Sequence, residues 1–181
     1  METAPQFPQS QFLTPKLGKG YNGVVYGISK GYAAKVSIHV LQIGHNSGRR
    51  QALNDIRCAI GRQLLEEYKE EYNIAADLYN AEISVPRPEG IYQVEIRWLE
   101  TAFGLFFPEK LAFVMERIHG TQANKTQGDL RKRVEELHRL ELNKCHERGF
   151  YSAKHLSLND VVYDSNRNNI VFVDVGHFER V

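Results

Sequence analysis

The sequence predicts an α+β fold in two parts, and three patterns carry that expectation. Short β-branched and aromatic runs flank a glycine-rich loop between Leu17 and Ile38. A proline-free stretch from about Gln51 to Ala81 repeats apolar residues at helical spacing. Beyond Gly128 a second helical stretch gives way to short strands and polar turns.

In chain order, residues 1–14 are rich in Pro and Gln and read as a flexible or loosely docked arm. Leu17 to Ile38 reads strand, glycine loop, strand, turn, strand. Val24-Val25-Tyr26 is β-branched and aromatic, Ser29-Lys30-Gly31 has turn chemistry, and Tyr32 to Ile38 is a short apolar run. Residues 39–50, with Gly44, Asn46, Ser47 and Gly48, read as loop. Ile56, Ile60, Leu64, Tyr68, Tyr72, Ala75 and Leu78 then mark one face of a long helix, or of two abutting helices. Ser84-Val85-Pro86-Arg87-Pro88 is expected to end it, because a residue before proline avoids helical angles.

Ile91 to Leu99 and Leu111 to Met115 read as strands around a loop holding Gly104 and Pro108. The polar segment Gly120 to Gly128 is the expected boundary between the parts. Asp129 is the expected cap of a helix that Gly149 stops, near Arg148. Its leucines and Val134 alternate with charges, as in an amphipathic helix on a core rather than a nucleic-acid helix. Val161-Val162-Tyr163 and Ile170 to Val173 are short strands joined by a polar turn, Asp164 to Asn169.

Composition narrows the function classes. The chain has 181 residues, 42% hydrophobic and 25% charged, enough to build a core. A net charge of +1 supplies no global attraction to nucleic acid or to an anionic membrane, so any anion site must be local. Cys58 and Cys145 are far apart and read as reduced, buried thiols. No basic segment followed by an apolar run opens the chain, and no run of 18 apolar residues occurs. The expectation is a cytoplasmic protein, or one exported without a Sec-type signal peptide, with no membrane partner and no nucleic-acid partner.

The glycine run Gly18-Lys19-Gly20-Tyr21-Asn22-Gly23-Val24-Val25 lies between two strands. A dinucleotide-binding turn needs its glycines to open a helix, and a P-loop ends in GK[ST]; neither condition is met. A glycine flap over phosphates between antiparallel strands fits, because backbone N–H groups can approach an anion where no Cβ intervenes. Val24 is expected beneath the flap, against a base. The flap needs a cation on the next strand, and Ala33-Ala34-Lys35 supplies one.

Gly18 to Val25 matches GxGxxGxV, and Ala33-Ala34-Lys35 matches an A-x-K strand. With them the chain resembles the protein kinase-like superfamily, as a minimal atypical member akin to RIO-like or bacterial effector kinases. The resemblance implies a bilobal fold: a five-stranded antiparallel N-lobe with a long αC helix over 15–120, hinge included, and a much reduced C-lobe over 121–181. It implies ATP and Mg²⁺ as cofactors and a protein substrate. Gly18, Gly20, Gly23, Val25, Ala33 and Lys35 would hold the nucleotide. Lys35 would take a carboxylate partner from the helix; among Glu66, Glu67, Glu70 and Glu71, Glu71 is chosen by its distance from Val85-Pro86, with Glu67 second. Val114-Met115-Glu116-Arg117-Ile118 resembles the hinge, which makes Met115 the gatekeeper and gives the adenine edge to the backbone of Glu116 and Ile118.

The segment after Gly149 resembles a catalytic loop without its aspartate. Anchored on Val161-Val162-Tyr163-Asp164, His155 takes the base position and Asp160 the metal-binding one. Anchored on Gly149, these become Lys154 and Asn159. The first register is preferred, since Leu156 then follows the base. A neutral imidazole can accept a proton, whereas a lysine needs a strongly lowered pKa to do so. Asp174-Val175-Gly176 matches the metal-binding D-F-G with Val for Phe, which gives Asp160 and Asp174 as the metal pair. No activation segment or A-P-E motif follows Gly176, so the resemblance covers residues 17–181 and lacks the peptide-docking half. A phosphotransferase using Lys35, Glu71, His155, Asp160 and Asp174 is the leading expectation. A pseudokinase and a small-molecule kinase are its alternatives. His138, Glu141 and His146 on the second helix have no metal-ligand spacing and read as structural.

Overall fold

A computed structural model describes residues 14–19, 23–28, 31–37, 50–95, 109–152 and 156–181. The rest of the arm, Gly20, Lys154 and His155 lie outside the described residues, as do residues 39–49 of the loop expected over 39–50, the end of the strand expected over Ile91 to Leu99, and the loop holding Gly104 and Pro108. The fold is α+β. By their contacts the residues form two compact units, one of 1–69 with 89–116 and one of 70–88 with 117–181. Residues 70–88, read from sequence as part of the first lobe, therefore group with the second unit.

The first unit holds a five-stranded antiparallel sheet. Its strands are β1 (Thr14–Lys19), β2 (Gly23–Ile28), β3 (Tyr32–Ser37), β4 (Pro88–Glu95) and β5 (Glu109–Glu116), in the order β1-β2-β3-β5-β4. The turn between β2 and β3 needs Gly31, whose φ of +85° is open to glycine. Ile28, Ala34, Val36, Ala112 and Val114 form an apolar cluster, flanked by Tyr26, Tyr32 and Tyr92. The cluster residues of β2, β3 and β5 fall at alternate positions, as the two-residue period of a strand requires.

Helix α1 (Arg50–Asn80) follows β3. It ends before the prolines, which corrects the expectation that Ser84 to Pro88 stops it. Glu82 adopts φ +61°, its N–H bonds the Tyr79 carbonyl at 3.0 Å, and the Ile83 N–H bonds the Leu78 carbonyl at 3.0 Å. That pair of bonds is the terminator that glycine usually makes, here built on a glutamate. Pro86 and Pro88 lie beyond it, and β4 starts at Pro88, three residues before the expected Ile91.

In the second unit, helix α2 (Gly128–Glu147) starts two residues earlier than the expected Asp129 cap implies. Its cap is Gln127, with no side-chain capping bond, and Asp129 lies inside the first turn, beside Lys132 at 3.5 Å. A carboxylate there still favours the positive end of the helix dipole. Gly149 ends α2 as expected, at φ +78° with its N–H on the His146 carbonyl at 3.0 Å. The strands β6 (Thr121–Gln122), β8 (Val161–Asp164) and β9 (Asn169–Phe172) make one small sheet, ordered β6-β8-β9. The strands β7 (Phe150–Ser152) and β10 (Phe178–Arg180) pair as another, which the sequence reading did not anticipate. The β8–β9 turn is closed by Asp164, a buried carboxylate that accepts from the N–H groups of Asn166 (2.9 Å) and Arg167 (3.3 Å).

Ser84 ties these pieces together. Its N–H donates to Glu141 Oε1 at 2.7 Å, its hydroxyl donates to the Ile170 carbonyl at 2.5 Å, and its own carbonyl accepts from the Phe172 N–H at 2.9 Å. Glu141 is thus structural, as its sequence context implied. Phe172 packs edge-on against His138 (5.8 Å between centroids) and Phe178 (5.7 Å). Cys145 on α2 is fully buried, and burial, reinforced by the nearby Glu141 carboxylate, pushes its thiol up to about 12. No helix of the described residues is long and apolar enough to cross a membrane.

Two outcomes follow from these contacts. Glu141→Ala leaves the Ser84 N–H without its charged acceptor and is expected to cost about 2 kcal/mol, whereas Glu141→Gln keeps an acceptor oxygen and loses less. Urea unfolding of both variants checks this, and equal losses would refute the acceptor role. The folded Cys145 thiol also keeps its proton where the unfolded one ionises. Stability therefore falls as pH rises from 9.0 toward about 12, and Cys145→Ala flattens that slope in unfolding measured at pH 8 to 11.

Candidate functional site

The strand register sorts the candidate residues of the first unit. Directly paired residues of antiparallel strands share a sheet face, and neighbours along a strand alternate. Val25 pairs with Gly18 of β1 and with Lys35 of β3, Lys35 pairs with Phe113 of β5, and Ala33 pairs with Met115. Gly18, Val25, Ala33, Lys35 and Met115 therefore occupy one face. The opposite face carries Val24 against Val36, Tyr26 against Ala34, and Ala34 against Val114. Val24, expected beneath the flap, is buried on that other face, and Val25 lies on the face of Lys35.

The two residues differ in setting as well as direction. Val24 is 8% exposed, while Val25 and Lys35 are half-buried. Gly23 opens β2 opposite Ser37, so the glycine run leads directly into the paired part of the strand. Among the described residues, a side chain at Gly18 would meet nothing within 4 Å. Met115 is buried and Glu116, the last residue of β5, is half-buried opposite Tyr32. Ile118 follows in a half-buried segment with no regular structure.

In the second unit three further candidates come together. Glu66, Glu67 and Glu70 are exposed on α1, and only Glu71 of the four is half-buried, on the helix face of Tyr68 and Ala75. Its carboxyl group lies against Gly176: a Cβ placed on that glycine would stand 3.7 Å from Glu71 Cδ and Oε1. The Val173 N–H donates to the Asp160 carbonyl at 2.9 Å, which sets Asp160 beside the start of Asp174-Val175-Gly176. Asp174 is partly exposed, with His177 Nε2 at 3.8 Å from its Oδ2.

Asp160 also has a local task. It ends the 3₁₀ turn Leu158–Asp160, and its Oδ2 accepts from the Ser157 N–H (3.2 Å) and the Ser157 hydroxyl (3.0 Å), closing a capping box. Its neighbour Asn159 is exposed and accepts from Asn124 Nδ2 at 2.5 Å. Ser157 and Asn124 were not singled out from sequence. The S-x-x-D spacing of Ser157 and Asp160, one carbon short of the usual capping-box glutamate, is the signal that was available. Among the described residues, no three or more His, Cys, Asp or Glu side chains gather to hold a metal ion. No protein-family model matches the chain, and no curated protein sequence matches it.

The opposed faces of Val24 and Val25 are separable by substitution. Val24→Ala is expected to cost about 2 kcal/mol in unfolding free energy, from two buried carbons. Val25→Ala, at a half-buried position, is expected to cost less, read by urea unfolding of both variants. The reverse pattern would overturn the face assignment.

Proposed function

We propose that this chain is a minimal kinase-like phosphotransferase of bilobal design, using ATP with Mg²⁺ and acting on a protein substrate. The observation that carries the reading is the shared sheet face of Gly18, Val25, Ala33, Lys35 and Met115, which strand register produces independently of any motif. A base lying on Ala33, Val25 and Met115 meets apolar surface. Lys35, one strand over from Val25, supplies the cation for phosphates, and the glycine run supplies backbone N–H groups. The long helix that follows β3 carries Glu71, the carboxylate this reading assigns to Lys35.

The second unit supports the metal assignment. Asp160 and Asp174 offer hard carboxylate oxygens from backbone segments joined by the Val173–Asp160 bond. Mg²⁺ at nucleotide sites takes one or two carboxylates and completes its shell with phosphates and water, so this donor set fits without a third acidic residue. When bound, the ion neutralises phosphate charge during transfer. The protein's own part is to hold the two carboxylates in place and to orient the acceptor hydroxyl, the role this reading gives to His155 as base, with Lys154 as the alternative.

A second reading is a nucleotide-binding module that transfers nothing. The capping box favours it, since Asp160 already spends one carboxylate oxygen on Ser157. Incubation with radiolabelled ATP and a panel of protein acceptors decides between the two. Label transfer is expected from the natural chain and is expected to fall on the order of 10²-fold in Asp174→Ala, the scale of removing one electrostatic stabiliser. Equal incorporation by both proteins refutes the enzyme. Mg·ATP binding by calorimetry without any transfer selects the second reading.

A further inference from the structure

We infer that Ser157 is a positioning residue that presents Asp160 to the cation of a bound nucleotide, an inference that rests on the nucleotide-binding reading above. The geometry is specific about which oxygen is committed. Asp160 Oδ2 receives both the backbone N–H and the hydroxyl of Ser157, at 3.2 and 3.0 Å. The same hydroxyl accepts the Asn159 N–H at 3.2 Å, so its own proton is directed to Asp160 rather than left to rotate. Two donors on one oxygen fix the carboxylate plane. Among the described residues no donor reaches Asp160 Oδ1, and the residue is only half-buried.

The backbone carbonyl of Asp160 is meanwhile held by the Val173 N–H at 2.9 Å, one residue before Asp174. The side chain is therefore oriented from one end and the main chain from the other. Asn159, the competing oxygen donor, has its carbonyl oxygen occupied by Asn124 Nδ2 at 2.5 Å. Of the two adjacent side chains, Asp160 is the one with an uncommitted oxygen beside the Asp174 segment. Carboxylates that ligate metals are themselves held by hydrogen bonds from surrounding groups, and loss of such a partner typically weakens metal affinity by about 10- to 100-fold. Ser157 makes two such bonds to a single oxygen, which leaves the other for one-point ligation.

The test uses Mn²⁺ as the probe, its free and bound forms distinguished by electron paramagnetic resonance on the full chain with ADP. Binding of a fluorescent ADP analogue is measured in parallel with EDTA present. Ser157→Ala is expected to weaken Mn²⁺ binding about 10-fold while metal-free ADP binding is unchanged, and Ser157→Thr, which keeps the hydroxyl, is expected to restore it. If the alanine variant fails to fold, Ser157→Gly serves, because glycine is nearly as good a cap. Wild-type Mn²⁺ affinity in the Ala or Gly variant overturns the inference, as does a parallel loss of metal-free ADP binding. A natural chain that binds neither ADP nor Mn²⁺ with ADP overturns the nucleotide reading itself, and the inference with it.

Discussion

The Ser84 N–H meets the Glu141 carboxylate at 2.7 Å, and the second unit is organised around that bond. It joins the segment after α1 to the middle of α2. The hydroxyl and carbonyl of the same serine then take the Ile170 carbonyl and the Phe172 N–H, so β9 is held on the side away from β8. A short strand paired on one edge only would be weakly specified in register; with both edges engaged it is not. Since β9 runs straight into Val173 and Asp174, the hydrogen bonds of one serine determine where a candidate ligand carboxylate begins. Burial of Glu141 is tolerable because its charge is used: Ser84 donates to it and Lys144 stands 3.9 Å away.

The same region shows how a helix can be ended without the residue that announces it. Glu82 occupies the left-handed position where glycine is usual, at a cost of about 1–2 kcal/mol for a residue with a Cβ. The surroundings offset it. Its carbonyl accepts from Lys144 Nζ, and its carboxylate lies 3.8 Å from Arg148. Both partners come from the last part of α2 and the residue after it. The end of the first helix is thus stabilised by the end of the second, across about sixty positions of sequence.

In the first unit the constraint is parity. Once Ile28, Ala34, Val36, Ala112 and Val114 share an apolar cluster, every residue between them must face the other way. Ala33 and Lys35 on β3, and Phe113 and Met115 on β5, follow from that alone. Buried Ala33 and half-buried Lys35 thus share one face of β3.

What the sequence determined by itself were the features with short-range causes. The strand–glycine–strand run, the long helix, the second helix with its Gly149 stop, and the β8–β9 turn at Asp164 all follow from local periodicity and turn chemistry. Tertiary structure alone decided the rest. Which of Val24 and Val25 shares the face of Lys35 depends on the pairing register of β2 with its neighbours β1 and β3. The end of α1 depends on Lys144 and Arg148, and β7 pairs with β10, a strand that lies beyond β8 and β9 in the chain. Asp160 sits beside Asp174 because the Val173 N–H reaches its carbonyl. Local patterns encode conformation within a few residues; partners for buried hydrogen-bonding groups are chosen only when distant segments meet.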